Sequence, residues 1–263
     1  MENLARNIKL IRSKDNDFYK KLKSYGQLKY RKRDNVVVVE GQKIYDDALP
    51  HLELHYTVVS ESYFAKHQDR LFSQPEQSRL TVLADSLFAS LSELKTDQGI
   101  MGIFQQPDYE VDASKLKRVV LLEDVQDPTN VGAIIRSAHC LGYEAVFLGA
   151  GCAQPFSPKV IRSSMGAVFH LPVVSLSDVD QLHQHTALLK EAGFSIVGTT
   201  LSGSSDVVPA TKLALVIGSE GHGLTAQTLD LCDHAFTIEM SDRADSLNAA
   251  VASGIAMYLL REV

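Results

Sequence analysis

The chain has 263 residues, enough to bury a core in one large α/β domain or two smaller ones. Hydrophobic residues make up 45% and charged residues 22%, which excludes a wholly disordered or fibrous chain, and the three cysteines, Cys140, Cys152 and Cys232, lack the spacing of a disulfide framework or a zinc site. The net charge of −6 argues against a nucleic-acid partner only until its distribution is read: residues 1–33 hold 11 Lys/Arg against 3 Asp/Glu, leaving 15 against 29 in the rest.

That basic segment is a candidate phosphate footprint, although a solvated basic helix explains charge alone equally well. The first residues carry no apolar stretch of signal-peptide length, and no later run reaches the roughly 18 apolar residues of a membrane helix. A cytoplasmic protein without a membrane partner is expected.

In chain order, a charged helix is expected over Asp15–Leu28, a strand at Val36–Val39, a helix over Gln42–Leu49 and a strand in Leu54–Val59, with further alternation to Ile103. The polar, aperiodic stretch Gln105–Lys115 reads as a linker. Residues 1–105 and 116–263 are then separate domains, joined through 106–115. In the second, short apolar runs recur between helical stretches: Arg118–Glu123, Glu144–Gly149, Phe194–Thr200, Leu213–Gly218 and Ala235–Met240. Such runs imply a parallel sheet covered on both faces, whose ligands bind beyond the carboxyl ends of the strands.

Three segments sit at such ends. In Glu123–Gly142, a strand gives way to a proline turn, with Asn130 as the expected helix N-cap. Val131, Ile134, Ile135, Ala138 and Leu141 form the expected buried stripe, with Arg136 nearly opposite it. In Val216–Leu224, a strand breaks into a loop of three glycines and one carboxylate, able to bring backbone amides against a nucleoside. In Ile238–Leu260, Ser246 or a neighbouring Asp is the expected N-cap, with Leu247, Ala250, Val251, Gly254, Ile255, Tyr258 and Leu259 as the apolar stripe. Taken singly, each segment is explained as well by an ordinary amphipathic helix or a tight turn.

Taken together and in this order, they resemble the signature motifs of the SpoU/TrmH branch of the SPOUT methyltransferases. The matching residues are Asn130-Val-Gly132 with Arg136, Gly218-Ser-Glu220 with Gly223, and Ile238-Glu-Met240 with Ser246-Leu247-Asn248. Ser157–Val173 resembles the segment between the first two motifs, and Val38–Leu49 is similar to the family's ribosomal-protein-like α/β substrate-binding domain. The chain departs from the family pattern at Glu239, Asp245, Ala249 and Ala250, which bears on the cofactor loop and on the acidic contact before Ser246.

The resemblance implies a trefoil-knotted α/β catalytic domain, acting as a homodimer and holding S-adenosylmethionine in the knot. It implies methylation of a ribose 2′-hydroxyl in RNA, with ribosomal RNA expected ahead of tRNA because of the separate N-terminal domain. Carried over by position, Asn130, Arg136, Glu220, Ser246 and Asn248 form the catalytic set, while Thr199, Gly218, Ile238, Met240 and Leu247 contact the cofactor. Arg31, Lys32 and Arg33, with Arg162 and Ser164, are the expected RNA contacts. The rival from another class is a non-catalytic RNA-binding homologue. A nicotinamide dehydrogenase lacks its GxGxxG after the first strand, and a serine hydrolase lacks its GxSxG elbow. His139, His170 and His222 match no ligand spacing, so no metal is expected.

Overall fold

The computed structural model describes residues 9–73, 79–206, 210–241 and 246–261. The chain divides into two compact units, residues 1–107 with 156–158, and residues 108–155 with 159–263. Among the described residues no helix is long and apolar enough to cross a membrane.

In the first unit, β1 (Lys9–Ile11), β2 (Val36–Glu40), β3 (Leu54–Ser60), β4 (Leu80–Leu83) and β5 (Ile100–Gln105) form a mixed sheet in the order β1-β4-β3-β5-β2. The β1–β4 and β3–β4 pairs are parallel, and β5 runs antiparallel to both β3 and β2. The helix expected over Asp15–Leu28 is the shorter α1 (Asp17–Ser24), and a second helix that was not expected, α2 (Leu28–Asp34), follows it. The Asn16 side chain caps α1 by accepting from the amides of Phe18 and Tyr19. The left-handed Asn35, at φ 50°, closes α2. Helices α3 (Gln42–Ala48), α4 (Glu61–Ser73) and α5 (Asp85–Ala89) complete the unit, with Tyr19, Leu22, Val58, Phe88 and Met101 in its core.

The second unit holds a six-stranded, wholly parallel sheet in the order β11-β9-β10-β6-β7-β8. Its strands are β6 (Arg118–Leu122), β7 (Ala145–Leu148), β8 (Val173–Ser175), β9 (Ser195–Ser204), β10 (Leu213–Ile217) and β11 (His234–Phe236). Both central strands, β6 and β10, are buried along their whole length, which is why, past Arg118, their sequences are apolar without alternation. Val119, Leu121, Phe147, Ile196 and Val216 pack on one face against Leu182 and Leu189 of α8 (Val179–Glu191). Helices α6 (Pro128–Cys140) and α10 (Ala249–Leu259) pack on each other and on the strands, and α7 (Pro158–Ser163) and α9 (Ala226–Leu231) are short.

The strand expected over Ala235–Met240 is the shorter β11 (His234–Phe236); Thr237 makes one more bond to β9, donating its amide to Ser204 O (2.9 Å), and the residues after it are irregular. Strand β9 runs on to Ser204, its register with β11 breaking between Ala235 and Phe236. The N-cap of α6 is Asp127, accepting from Thr129 N at 2.7 Å with Pro128 in the first turn, so Asn130 lies inside the helix. The N-cap of α10 is Asn248 rather than Ser246. The buried face of α10 is Ala249, Ser253, Ala256 and Met257, whereas Val251, Tyr258 and Leu259 of the expected stripe are 51%, 54% and 41% exposed.

Gly132 lets α6 meet α7 closely. A Cβ there would come within 2.8 Å of the Ser163 Cβ and the Val160 carbonyl oxygen. Gly132→Ala is therefore expected to destabilise the fold by about 1–3 kcal/mol through overpacking, read as a lowered urea midpoint with an unchanged m-value.

Candidate active site

The carboxyl ends of β9, β10 and β11 open into one cavity of about 360 Å³. Its wall takes Thr199, Thr200 and Leu201 from β9, the stretch Ile217–Leu224 after β10, Phe236–Ile238 and Met240 after β11, and Ser246, Leu247 and Ala249 before and in α10. The structure thus gathers all five expected cofactor residues, Thr199, Gly218, Ile238, Met240 and Leu247, around one space. Gly218 is required by close approach, since a Cβ on it would run into the backbone of Gly223 and Leu224. The loop closes on itself there, Gly223 donating its amide to Ser219 O at 3.0 Å.

Of the expected catalytic set, Glu220 and Ser246 line the cavity and are exposed. Asn130, 8% exposed on α6, donates its side-chain amide to Glu220 Oε1 and accepts from Asn248 Nδ2 at 3.0 Å. Asn248 Oδ1 in turn accepts from the amides of Ala250 and Val251, at 3.0 and 3.3 Å, so one asparagine caps α10 and ties it to α6. The three motifs are joined by side-chain hydrogen bonds through Asn130. Arg136 does not line the cavity; it is exposed on α6 and makes no hydrogen bond or ion pair among the described residues. Ser137, the next residue, has its hydroxyl 3.7 Å from where a Cβ of Gly254 would stand, so the α6–α10 contact passes beside Arg136.

The expected RNA contacts divide. Lys32 and Arg33 are exposed on α2, and Arg33 forks onto Asp34 at 2.7 and 3.2 Å. That contact holds the Asp34 carboxyl down at about 2. Arg31 is instead buried, its Nη1 donating to Tyr25 O at 2.6 Å, and burial lowers its pKa. Arg162 is half-buried on α7, and Ser164 is fully buried with its hydroxyl given to Ile161 O at 3.0 Å. The geometry makes Arg31 and Ser164 parts of local structure rather than exposed contacts.

Of the four departures from the family pattern, Ala249 is in the cavity wall and Ala250 receives the Asn248 cap. Glu239 is exposed and accepts from Ser205 Oγ at 2.8 Å. Asp245 lies outside the described residues. Thr200 was not singled out by its sequence. Its Oγ1 is buried in the cavity wall and, among the described residues, has no hydrogen-bond partner.

The site is thus a cavity at the carboxyl ends of a parallel α/β sheet, beside three motifs joined through Asn130, Glu220 and Asn248, the place where such sheets bind their ligands. The SpoU rRNA Methylase family model matches residues 117–258, and the MRM3-like substrate binding domain model matches residues 16–102. The chain is 31% identical to the 23S rRNA (guanosine(2553)-2′-O)-methyltransferase RlmP of Bacillus subtilis (strain 168), over 97% of this chain and 100% of that one. Among solved structures, an AdoMet-bound rRNA methyltransferase from Sinorhizobium meliloti superposes with a TM-score of 0.82 at 25% identity, covering 97% of both chains. The SpoU methyltransferase AviRb from Streptomyces viridochromogenes, in complex with the cofactor AdoMet, gives 0.77 at 25% identity, covering 93% of this chain and 97% of that one. The chain belongs to the SpoU rRNA methylase family.

Proposed function

We propose that this protein transfers a methyl group from S-adenosylmethionine to a ribose 2′-hydroxyl of ribosomal RNA, with 23S RNA the substrate suggested by the Bacillus relative, and that it acts in the cytoplasm. The observation carrying the reading is the convergence of Thr199, Gly218, Ile238, Met240 and Leu247, from four separated segments, on the cavity that Glu220 and Ser246 also line. The residues present fit the cofactor: glycine-rich backbone approaches closely, the wall is largely apolar, and the unpartnered Thr200 hydroxyl accommodates a ligand with polar groups. When bound, S-adenosylmethionine supplies an electrophilic methyl on a good leaving group.

What this chain must add is alignment and a route for the hydroxyl proton. A free guanidinium keeps its proton up to a pKa above about 12, so Arg136 is assigned to holding the ribose and its phosphate. Glu220 is the one carboxylate among the described residues of the cavity wall, and Asn130 fixes one of its oxygens. Its other oxygen is left to orient Arg136 or to accept the proton. Because Arg136 stands outside the wall, we assign completion of the centre to a homodimer formed through the exposed Val251, Tyr258 and Leu259 face of α10. The trefoil knot belongs to the same proposal. Replacing Val251 with Glu is expected to turn a dimer into a monomer by sedimentation velocity and to lower transfer at least tenfold.

RNA is held in part by the N-terminal unit, through Lys32 and Arg33. Reversing both charges, Lys32→Glu with Arg33→Glu, is expected to weaken RNA binding and to flatten the plot of log affinity against log salt by about 2, with affinity for S-adenosylmethionine unchanged. The reading as a whole is tested by incubating the protein with labelled S-adenosylmethionine and ribosomal RNA from cells lacking it. Label in the RNA supports it, and RNA binding without label would favour the non-catalytic homologue.

A further inference from the structure

The carboxylate of Glu123, the residue directly after β6, is 7% exposed and is not part of the chemistry assigned above. It is fully engaged. Its Oε2 accepts from Thr225 N at 3.0 Å, and its Oε1 accepts from the hydroxyls of Thr225 and Thr228, both at 2.8 Å. Thr228 is fully buried, and its oxygen lies 3.1 Å from His183 Nε2 of α8. Since the Thr228 hydrogen goes to Glu123, the His183 ring donates here. Thr225 also accepts from Thr228 N at 3.3 Å, as the N-cap of α9.

These partners follow immediately on the glycine loop. The loop leaves β10 at Ile217, whose carbonyl accepts the Glu123 amide at 2.8 Å, runs through the cavity wall to Leu224, and re-enters the fold at Thr225. One residue therefore clamps both feet of the loop, by its main chain at the entrance and its side chain at the exit. Between those feet lie Gly218, whose backbone crosses closely against Gly223, and Glu220, which meets Asn130. A short helix cap alone needs only the Thr225 hydroxyl; a buried charge is costly there unless its hydrogen bonds fix something worth fixing.

We propose that Glu123 is a positioning residue of the methyl-transfer site, holding the 218–224 loop in its cofactor-competent shape through Thr225 and Thr228. The inference rests on the reading of the cavity as the S-adenosylmethionine site. It is tested on the full chain by titration calorimetry with S-adenosylmethionine and by steady-state kinetics on RNA, for Glu123→Gln, Thr225→Val and Thr225→Ser, with thermal melts alongside. Glu123→Gln and Thr225→Val are expected to raise both the Kd and the KM for S-adenosylmethionine at least tenfold, with kcat lowered less than threefold. Thr225→Ser, which keeps the hydroxyl, is expected to stay within twofold of wild type. A merely structural role would lower the melting temperature of the first two variants while leaving their KM at the wild-type value, and that outcome would overturn the proposal. Wild-type protein that binds no S-adenosylmethionine would instead overturn the reading of the cavity, and this inference with it.

Discussion

Arg136→Ala is expected to lower methyl transfer between about a hundredfold and ten-thousandfold, the range for losing a group that aligns a reactant or manages its proton, while the Kd for S-adenosylmethionine stays within twofold of wild type. The asymmetry follows from position. Arg136 is outside the cavity wall and bonded to nothing among the described residues, so removing it disturbs neither the Gly218–Leu224 loop nor the Asn130–Glu220–Asn248 hydrogen bonds. Stability should be unchanged, because an exposed, unpaired side chain contributes little. Arg136→Lys is expected to recover only part of the rate, since an ammonium keeps the charge but not the planar fork that meets a phosphate with two hydrogen bonds. Rapid-quench kinetics together with calorimetry on the same preparation separate the two quantities. A parallel loss of cofactor affinity would place the arginine in the cavity and contradict this geometry.

Gly218→Ala is expected to act in the opposite sense, lowering cofactor affinity about tenfold to a hundredfold if the overpacking of about 1–3 kcal/mol is felt in the ligand-binding shape of the loop, and costing a similar amount of stability. The new Cβ would meet the Gly223 carbonyl and the Leu224 amide, which are backbone and cannot swing aside as a flexible side chain can. The loop must open, and the Gly223 N to Ser219 O bond of 3.0 Å is the first contact at risk. Calorimetry and urea unfolding read the two effects independently. Normal affinity in a destabilised protein would mean that the loop's closed shape is not what the ligand needs.

The sheet of the second unit is legible because its central strands are buried on both faces: Val119–Leu122 and Leu213–Ile217 are apolar runs that could hardly lie at a surface. The three-residue strands β1 and β8 left no such mark, being too short to establish a period. The caps are ambiguous in the sequence for a related reason. Asp127 and Asn130 are both capping residue types one turn apart, and the choice falls to Asp127 because Asn130 is claimed by Glu220 and Asn248, contacts distant in sequence. On α10 the apolar residues run all round the helix, so their spacing cannot say which face meets the fold. The cavity residues, by contrast, are recognisable only through motif resemblance and not through any side-chain pattern, since glycine loops and backbone contacts carry little chemical signature.

The basic triad shows the same limit on α2. Three consecutive helical residues are turned about 100° apart, so Arg31, Lys32 and Arg33 cannot all face outward from a packed helix. Arg31 points inward to the Tyr25 carbonyl. Ser164 likewise reads as a polar group free for a substrate, until its complete burial and its bond to Ile161 O are seen.

The most direct test is to let the protein methylate ribosomal RNA with S-adenosylmethionine, digest the product to nucleosides, and find by mass spectrometry where the new methyl sits. The methyl on the ribose of one defined nucleotide is the result predicted here. A methyl on a base would contradict the account, because the groups around this cavity have been assigned to a hydroxyl and not to a ring nitrogen or carbon.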